Sequence, residues 1–230
     1  MKDRRKSISK LKKQDFEYGI SDDPTDLQFF YRKIYIPYVT ERYQDRARII
    51  SDKHEFYQSL FERKAKLLYV NYQSNLVAAN SGVLRRYGRT FSALHMGVDQ
   101  DYTHLLQQDV VVALYWHVIN WARAQQFHFV DFGRTRARLN DGVFEFKRRW
   151  GMQFERDVTT YTMWTFIGEN LPASLVSKIN DLAFVAEVGK EYRCLVLVDD
   201  ESSLPDKELA RRKKITAQAG LDGILILQPD

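Results

Sequence analysis

The sequence has 230 residues, 44% of them hydrophobic and 13% aromatic, which is enough apolar material for one sizeable core. It contains no run of about 18 apolar residues, and its basic start lacks the apolar stretch of a secretory signal, so neither a membrane span nor secretion is expected. The single cysteine, Cys194, has no partner for an intrachain disulfide, which fits a reducing compartment. We therefore expect a cytoplasmic protein.

Positive charge is concentrated in two short segments. Residues 1–13 hold seven Lys or Arg and one Asp, and a second basic run occupies residues 211–214. Since the formal net charge is +5, the rest of the chain is acidic on balance. No aromatic residue interleaves the lysines of 1–13, so we expect a solubilising, disordered arm. Binding to nucleic acid or to an anionic membrane surface is the alternative.

The first part of the chain predicts a strand followed by a long helix. Residues 14–20 suit a short strand. Asp23 is a good N-cap and Pro24 suits a first helical turn, and apolar residues then recur at helical spacing to about Tyr43. Pro37 lies inside this helix and removes a backbone donor, so we expect a kink or a break there.

A second helix and an antiparallel meander follow. The capping-box spacing of Asp52 and Glu55 predicts a helix that ends near Arg63. Short polar turns then separate three strands, which predicts antiparallel pairing. The strands are expected at 66–72, 76–86 and 90–98. Gly97, late in the third of these strands, indicates a bulge or a close approach of another backbone.

Helices and strands alternate in the second half. A long helix is expected at 105–125 and a strand at 128–133. Asn140 or Asp141 caps a short helix that Gly151 ends. The remaining elements are one or two strands at 152–164, a helix from Pro172 to about Val188, a strand at 192–198, a helix at 205–219 that stops at Gly220, and a strand at 223–228. This order indicates a mixed α/β fold with helices packed on a partly antiparallel sheet.

Two stretches resemble a known family. They are FYRKIYIPYVTERY (30–43) and VDFGRTRARLNDGVFEFKRRWG (130–151), and the second carries Asp131-Phe132-Gly133, Phe146-Lys147 and Trp150-Gly151. They are similar to the GNAT-fold acetyltransferase-like domain related to the Fem-type peptidoglycan aminoacyltransferases, over about residues 16–165. Protein kinases also carry Asp-Phe-Gly, but this sequence lacks their glycine-rich loop, strand lysine and catalytic-loop motif.

The resemblance implies an α/β, GNAT-like fold. Its sheet is mixed, mostly antiparallel and twisted, with helices on both faces, and a C-terminal β-α-β extension follows it. We expect a basic disordered arm (1–13), a GNAT-like domain (14–168) and a C-terminal extension packed on the same core (169–230). The implied function is N-acyl transfer from acyl-CoA, first of all acetyl-CoA, to an amine of a small molecule, a peptide or an amino sugar.

In this family the acyl donor lies where the fourth and fifth strands, here 90–98 and 128–132, splay apart. Its pyrophosphate lies at the start of the next helix, where the partial positive charge favours anions. The expected donor contacts are Met96, Gly97, Gln107, Gln108, Asp109, Val110, Arg134 and Asn140.

The sequence departs from the family at this helix start. Residues 103–110 lack the glycine-containing turn that many acetyltransferases carry, and Asp109 repels phosphate unless it caps the helix. Fem-type relatives also lack a clean version of that turn and take their acyl group from aminoacyl-tRNA. Acyl-CoA is therefore the first candidate donor and aminoacyl-tRNA the second.

The resemblance puts Phe146 and Lys147 at the transfer site. A lysine there stabilises the oxyanion of a tetrahedral intermediate or holds a donor phosphate. The alternative is an ordinary surface lysine of the helix. Tyr161 is the candidate for protonating the leaving thiolate.

Attack by an amine also needs a base with a pKa near neutral. Four residues are candidates for this base, and no spacing in the sequence distinguishes them: Asp131, His95, Asp99 and Glu145. Asp131 follows an apolar strand, so burial is expected to raise its pKa, unless it is a turn carboxylate next to Gly133.

The sequence leaves two other functions open. Many GNAT enzymes place a tyrosine after the fifth strand to protonate the leaving thiolate, and the matching helix here offers Phe144 and Phe146 instead. The lack of this tyrosine and of the glycine-containing turn is consistent with a non-catalytic binding module. The basic arm and the Fem likeness are consistent with a transferase that uses charged tRNA, whose binding has a steep salt dependence. No histidine pair has metal-ligand spacing with a partner carboxylate, so no metal is expected.

Overall fold

A computed structural model describes residues 2–44, 64–85, 89–106, 109–153, 173–198 and 205–227, and the helices and strands are numbered within these ranges. The chain divides into two compact units, an N-terminal unit (Lys2–Gly133) and a C-terminal unit (Arg134–Asp230). Each unit has its own sheet and its own buried apolar cluster.

The N-terminal unit is built on a five-stranded sheet whose spatial order follows the chain. Its strands are β1 (Phe16–Ser21), β2 (Lys66–Tyr72), β3 (Asn75–Arg85), β4 (Thr90–Val98) and β5 (Phe129–Asp131). Strands β1 to β4 pair antiparallel, and β5 pairs parallel to β4. Gln73 and Ser74 both have positive φ, as tight two-residue hairpins require, and this closes β2 onto β3. The predicted meander is confirmed.

Helices cover both faces of this sheet. They are α1 (Lys2–Leu11), α2 (Pro24–Phe29), a π-helix (Phe30–Tyr35), α3 (Ile36–Tyr43), a 3-10 helix (Gln100–Leu106) and α4 (Val110–Ala124). The backbone of the π-helix lies against Gly97 on one face, and Trp121 of α4 packs edge-on against Phe91 on the other, with ring centroids 4.8 Å apart.

A π-helix interrupts the helical segment that begins at Pro24. Asp23 caps it as predicted, since its side chain accepts a hydrogen bond from the Thr25 N–H at 2.7 Å. The π-helix ends just before Pro37, whose ring clashes with the carbonyl of Lys33 in a regular α-helix. The irregularity predicted at Pro37 therefore takes the form of a widened turn ahead of it.

Helix α1 occupies most of the segment that composition predicted to be a disordered arm. Its last residue, Leu11, is only 3% exposed and joins the core of the N-terminal unit. Lys10 also forms a 3.0 Å ion pair with Asp109. The prediction of disorder was wrong here because a single well-placed leucine anchors a segment whose average composition is strongly polar.

The C-terminal unit contains a second, three-stranded sheet in the order β6-β7-β8. Its elements are α5 (Gly142–Arg149), α6 (Ala173–Leu182), β6 (Val185–Val188), β7 (Glu191–Leu197), α7 (Asp206–Ala219) and β8 (Gly223–Leu227). Strands β7 and β8 are parallel and joined by α7, which is the predicted β-α-β arrangement. Phe144, Cys194 and Ile215 belong to a buried cluster of this unit.

The helix predicted from Pro172 to Val188 is shorter than expected. Its helical part ends at Leu182, and the last predicted turns are instead strand β6. Ala183 has a positive φ, which ends the helix, and Gly189, also with positive φ, turns β6 back onto β7. The apolar residues of β6 are therefore held by strand pairing rather than by a helix face.

Some predictions lie outside the described residues. They are the helix at 52–63, the strand segment at 152–164 from residue 154 onward, and the domain boundary at residue 168. Among the helices that the structure does describe, none combines the length and the apolar character needed to span a bilayer.

Candidate active site

Strands β4 and β5 run together only at their start. They pair over three rungs, Thr90 with Phe129, Phe91 with Val130 and Ser92 with Asp131. Beyond these rungs β4 continues to Val98, and no other described strand pairs with residues 93–98 on that side. A strand edge of this kind can accept an extended ligand by main-chain hydrogen bonds.

A β-bulge lies at the point where the two strands separate. The register between β3 and β4 shifts there, because Ser81 pairs with His95 and Gly82 with Ala93, which leaves Leu94 as the extra residue. The bulge considered for Gly97 is therefore three residues earlier than expected. The other alternative for Gly97, a close approach of another backbone, is confirmed, because an added Cβ would lie 3.1 Å from Tyr35 Cα.

His95 follows the bulge and is held between two neighbours. Its Nδ1 lies 3.1 Å from the Ser81 hydroxyl, and the Tyr35 ring packs edge-on against the imidazole with centroids 5.0 Å apart. Burial lowers the pKa of His95 to about 4, because the charged imidazolium loses solvation. The side chain is therefore a neutral imidazole at physiological pH and does not match the near-neutral base that the chemistry called for.

Asp131 forms a turn at the end of β5. Its Oδ1 accepts a hydrogen bond from the Gly133 N–H at 2.8 Å, and its Oδ2 accepts one from the Ser92 hydroxyl at 3.3 Å. Gly133 has a positive φ, which such a turn favours. The side chain is exposed, so the expected burial was wrong and the alternative of a turn carboxylate is confirmed. Asp99 is similarly a turn residue, since it accepts from the Asp101 N–H at 3.1 Å.

Asp109 precedes α4 without capping it. Its backbone is left-handed, with φ 66°, and its side chain makes no cap hydrogen bond but pairs with Lys10. The reading of Asp109 as a simple helix cap was therefore wrong. The ammonium of Lys10 offsets part of the negative charge at the start of α4. Val110 is fully buried as the first residue of α4.

Helix α5 is started by Asp141 rather than by Asn140. The Asp141 side chain accepts hydrogen bonds from the N–H groups of Val143 and Phe144, both at 3.0 Å. Asn140 instead donates to the backbone carbonyl of Asp181. Gly151 follows the helix with a positive φ, as predicted.

Lys147 points into the C-terminal unit. Only 9% of the residue is exposed, and its Nζ donates a hydrogen bond to the backbone carbonyl of Arg134 at 3.0 Å. Phe144, one turn earlier, is buried on the same face of α5, and Phe146 packs near Trp150 with ring centroids 6.3 Å apart. The alternative of an ordinary surface lysine is therefore wrong, because lysine is almost never buried to this degree without a specific partner.

The exposed side of α5 is an ion-pair network. Glu145 bonds to Arg148 at 2.9 Å and to Arg149 at 3.0 Å. Burial acts to raise the pKa of Glu145, but the two guanidinium groups outweigh it, and the pKa is lowered. Glu145 is thus held ionised, which disfavours it as a base that must take up a proton near neutral pH.

The family model of the acetyltransferase (GNAT) domain matches residues 1–148 of the sequence. This chain belongs to the GNAT acetyltransferase family. It is accordingly an acyltransferase. No curated protein matches the sequence.

Several solved acetyltransferase structures are similar to this GNAT chain. A possible acetyltransferase from Clostridium difficile 630 has a TM-score of 0.47 at 14% identity, over 66% of this chain and 99% of its own. A ribosomal-protein-alanine N-acetyltransferase from Brucella melitensis biovar Abortus 2308 has a TM-score of 0.44 at 13% identity, over 66% of this chain and 100% of its own. A predicted acetyltransferase with acetyl-CoA from Clostridium acetobutylicum has a TM-score of 0.42 at 10% identity, over 65% of this chain and 96% of its own. The family assignment rests on the domain model alone.

The candidate residues of this GNAT acetyltransferase fall into three groups. His95, Met96, Gly97, Asp109, Val110 and Asp131 belong to the N-terminal unit. Arg134, Asn140, Phe146 and Lys147 belong to the C-terminal unit. Gln107, Gln108 and Tyr161 lie outside the described residues. Within the described ranges, no three His, Cys, Asp or Glu side chains form a group able to hold a metal ion.

Sequence reasoning missed three features beside His95. Two of them, Ser81 and the bulge residue Leu94, lie in no motif and have no unusual spacing. The third, Tyr35, lies in the 30–43 stretch but is not marked there as a site residue. The signal that could have found Tyr35 is its position just before Pro37, because π-helical segments often occur at functional sites. Ser81 and Leu94 are defined only by the register of β3 against β4.

Proposed function

We propose that this GNAT acetyltransferase is an N-acyltransferase that moves an acyl group from acyl-CoA, first of all acetyl-CoA, directly to an amine. The observation that supports this most is that β4 pairs with β5 over only three rungs and continues to Val98 without another described strand beside it. The amides and carbonyls of a strand edge suit the amide-containing arm of a CoA ester. Asn80, the partner of Met96 on β3, adds a buried Oδ1 that lacks a hydrogen-bond partner among the described residues.

The donor contacts of the proposal follow the family's arrangement. Backbone groups of Met96 and Gly97 would bind the arm of the donor. Its phosphates would lie near Gln107, Gln108, Asp109 and Val110, with Arg134 and Asn140 as further contacts. The ion pair between Lys10 and Asp109 supports this part, because it reduces the repulsion that the Asp109 carboxylate exerts on a phosphate.

The proposed catalytic set is Lys147, Phe146, Asp131, His95 and Tyr161. Lys147 is proposed to stabilise the developing oxyanion or a donor phosphate, a role supported by an ammonium held in the protein interior. Asp131 is the proposed proton acceptor, supported by its exposed position where β4 and β5 part. Tyr161 remains the proposed acid for the thiolate.

The acceptor is proposed only as a class of amine, and no branch of the family is assigned. An amine on a small molecule, a peptide or an amino sugar fits the reaction class, and the Fem-type branch stays a prediction. Residues 103–110, before and at the start of α4, contain no glycine. This supports a second proposed function, a binding module without turnover. Aminoacyl-tRNA is the alternative donor, for which the basic residues of α1 would provide phosphate contacts.

The test combines donor binding with a matched pair of lysine variants. Saturating acetyl-CoA is expected to raise the Tm, since a ligand that binds only the folded state stabilises it. Lys147→Met keeps the buried volume but removes the charge, and we expect it to lower kcat by about 100-fold. The control is Lys178→Ala, an exposed lysine of α6, which should leave kcat unchanged.

Three outcomes separate the candidates. No Tm shift with any CoA ester contradicts the acyl-CoA donor. A clear Tm shift without acyl transfer to any amine supports the binding module. Full activity of a folded Lys147→Met variant removes Lys147 from the transfer site while leaving the reaction class intact.

A further inference from the structure

Two polar side chains meet on the last rung that β4 and β5 share. Ser92 of β4 is paired there with Asp131 of β5, and the Ser92 hydroxyl donates a hydrogen bond to Asp131 Oδ2 at 3.3 Å. Ser92 is only 1% exposed, whereas Asp131 is exposed. A buried hydroxyl is therefore bound to a carboxylate that solvent can reach, at the point where the two strands separate.

Aromatic contacts with α4 fix the backbone beside this pair. Phe91, which precedes Ser92, packs against α4. Phe132, which follows Asp131, stacks on Tyr115 of α4 with ring centroids 4.4 Å apart and ring planes 11° apart. Because neighbouring side chains of a strand point to opposite faces, Ser92 lies on the face away from α4, and its rung partner Asp131 shares that face.

Both oxygens of the Asp131 carboxylate are held. Oδ2 accepts the hydrogen bond from Ser92, and Oδ1 accepts one from the Gly133 N–H at 2.8 Å. The bond to Gly133 closes a local turn, whereas the bond from Ser92 ties the carboxylate to a different strand. An ionised carboxylate has about four lone-pair sites, so these two bonds leave it able to accept a further hydrogen. Ser92 therefore restricts the rotation of the carboxylate without blocking it.

Burial keeps the Ser92 hydroxyl directed at Asp131. In the described part of the chain, the Asp131 carboxylate is the acceptor for this hydroxyl, and a buried donor without an acceptor costs about 1–3 kcal/mol. The 3.3 Å separation is long for a hydroxyl on a carboxylate. Hydrogen bonds of catalytic groups are often long without substrate and shorten in the substrate complex.

We propose that Ser92 is a positioning residue for Asp131, and that it holds the carboxylate in the orientation in which it accepts a proton from the amine. This inference rests on the proposed function. As the amine nitrogen bonds to the carbonyl carbon, the C–S bond breaks and the sulfur leaves with the electron pair. The nitrogen loses a proton to Asp131, the proposed acid gives one to the sulfur, and the proton on Asp131 restores that acid. Ser92 keeps its own hydrogen throughout.

The first experiment follows the Asp131 turn without any substrate. Ser92→Ala releases Oδ2, so the carboxylate should rotate more freely and its bond to the Gly133 N–H should open more often. We expect hydrogen exchange of the Gly133 amide in the full-length protein to become about fivefold faster. An equal rate in the wild-type protein and in Ser92→Ala overturns the positioning role.

The control for this experiment is Thr90→Val. Thr90 lies on the same strand two residues before Ser92 and is also buried, but its hydroxyl has no hydrogen-bond partner among the described residues. Thr90→Val removes that hydroxyl and keeps the shape of the side chain. It should therefore leave both the exchange of the Gly133 amide and kcat unchanged.

The second experiment asks whether Ser92 acts through Asp131. We expect Ser92→Ala to lower kcat about tenfold with little change in the KM for acetyl-CoA, and Ser92→Thr, which keeps a hydroxyl, to stay within about threefold of wild type. Asp131→Asn keeps the shape of the side chain but removes the base, and in that background Ser92→Ala should change kcat by less than about twofold. A tenfold loss in both backgrounds overturns the role, because a purely structural effect does not need the carboxylate. Full activity of Asp131→Asn overturns it as well.

The two experiments also separate this inference from the proposed function. If the wild-type protein shows no acyl transfer but Ser92→Ala speeds exchange at Gly133, the proposed reaction is wrong and the control of the carboxylate by Ser92 stands. If acyl transfer is robust and Ser92→Ala changes neither the exchange nor kcat, the role of Ser92 is wrong and the reaction class stands.

Discussion

Burial separates the candidate residues that the sequence left equivalent. Asp131 is exposed and closes a turn, while His95 is largely enclosed by its neighbours. Lys147 is buried with its ammonium on a backbone carbonyl. The environments of His95 and Lys147 depend on partners from another strand or loop, whereas Asp131 closes its turn on Gly133, two residues away. The chemistry available to each group therefore follows from its partners rather than from its type.

His95 makes the stability of the protein depend on pH. Its pKa is about 4 in the folded protein against an ordinary value of 6.5, so the unfolded state binds more protons between these values. The free energy of unfolding should therefore fall by roughly 2 to 3 kcal/mol as pH drops from 6.5 to 4. Chemical denaturation at several pH values measures this change in the free energy of unfolding. The side chain that packs against the imidazole is Tyr35.

A matched histidine pair attributes that effect to His95. His95→Gln should reduce the dependence on pH, whereas His128→Gln, which changes an exposed histidine, should leave it unchanged. Some dependence remains in His95→Gln because burial also lowers the pKa of His117. An unchanged slope in the folded His95→Gln variant would show that another group causes the dependence.

At the scale of elements, close contacts rather than propensities set the site. The π-helix, the bulge at Leu94 and the early separation of β5 from β4 all occur within a few residues of one another along the sheet. Each interrupts a regular pattern of hydrogen bonds, and such interruptions are frequent near active sites. The sequence indicates two of these interruptions. Pro37 indicates the π-helix, and the short apolar segment of β5 indicates the early separation of β5 from β4.

Gly97 provides a direct test of the contact between the π-helix and β4. An alanine there brings a methyl group to 3.0 Å from Ile34 Cγ2, which is too close without a shift of the backbone. We expect Gly97→Ala to destabilise the protein by about 1–3 kcal/mol, seen as a lower Tm. Gly142→Ala is the control, because an added Cβ there meets nothing within 4 Å and its effect should be near zero.

Helix α1 should be held by burial more than by charge. Leu11→Ala removes a buried side chain and is expected to cost about 2–4 kcal/mol. Lys10→Ala breaks only a partly exposed ion pair with Asp109, and we expect less than about 1 kcal/mol. Urea unfolding of both variants compares the two effects, and a larger loss for Lys10→Ala would contradict the assignment.

At the scale of the whole molecule, each unit has its own means of closing its core. The N-terminal unit sandwiches its sheet between helices, while in the C-terminal unit hydrogen bonds of buried polar side chains connect α6, β7 and α7. Asn180 of α6 donates to the Leu197 carbonyl at 2.7 Å and accepts from the Leu197 N–H at 2.9 Å. Arg212 of α7 donates to the Asn180 carbonyl, so three elements meet at one residue.

Asn180→Ala should therefore loosen the C-terminal unit selectively. It leaves two buried backbone groups of Leu197 without partners, at a cost of about 2–4 kcal/mol. Hydrogen exchange should show lost protection in α6 and β7 and retained protection in β2 and β3. Ser177→Ala, at an exposed position of α6, is the control and should change neither. Uniform loss of protection across both units would contradict a local role.

The local sequence determined most of the element types, the order of the meander, the caps at Asp23 and Asp141, the β-α-β segment and the family resemblance. These depend on periodicity, turn residues and short motifs, all of which act between near neighbours. Tertiary structure alone decided that α1 is anchored, that the bulge lies at Leu94, that Ser81 meets His95 and that Lys147 is buried. The physical reason is that register between strands and enclosure by distant helices depend on contacts far apart in the chain.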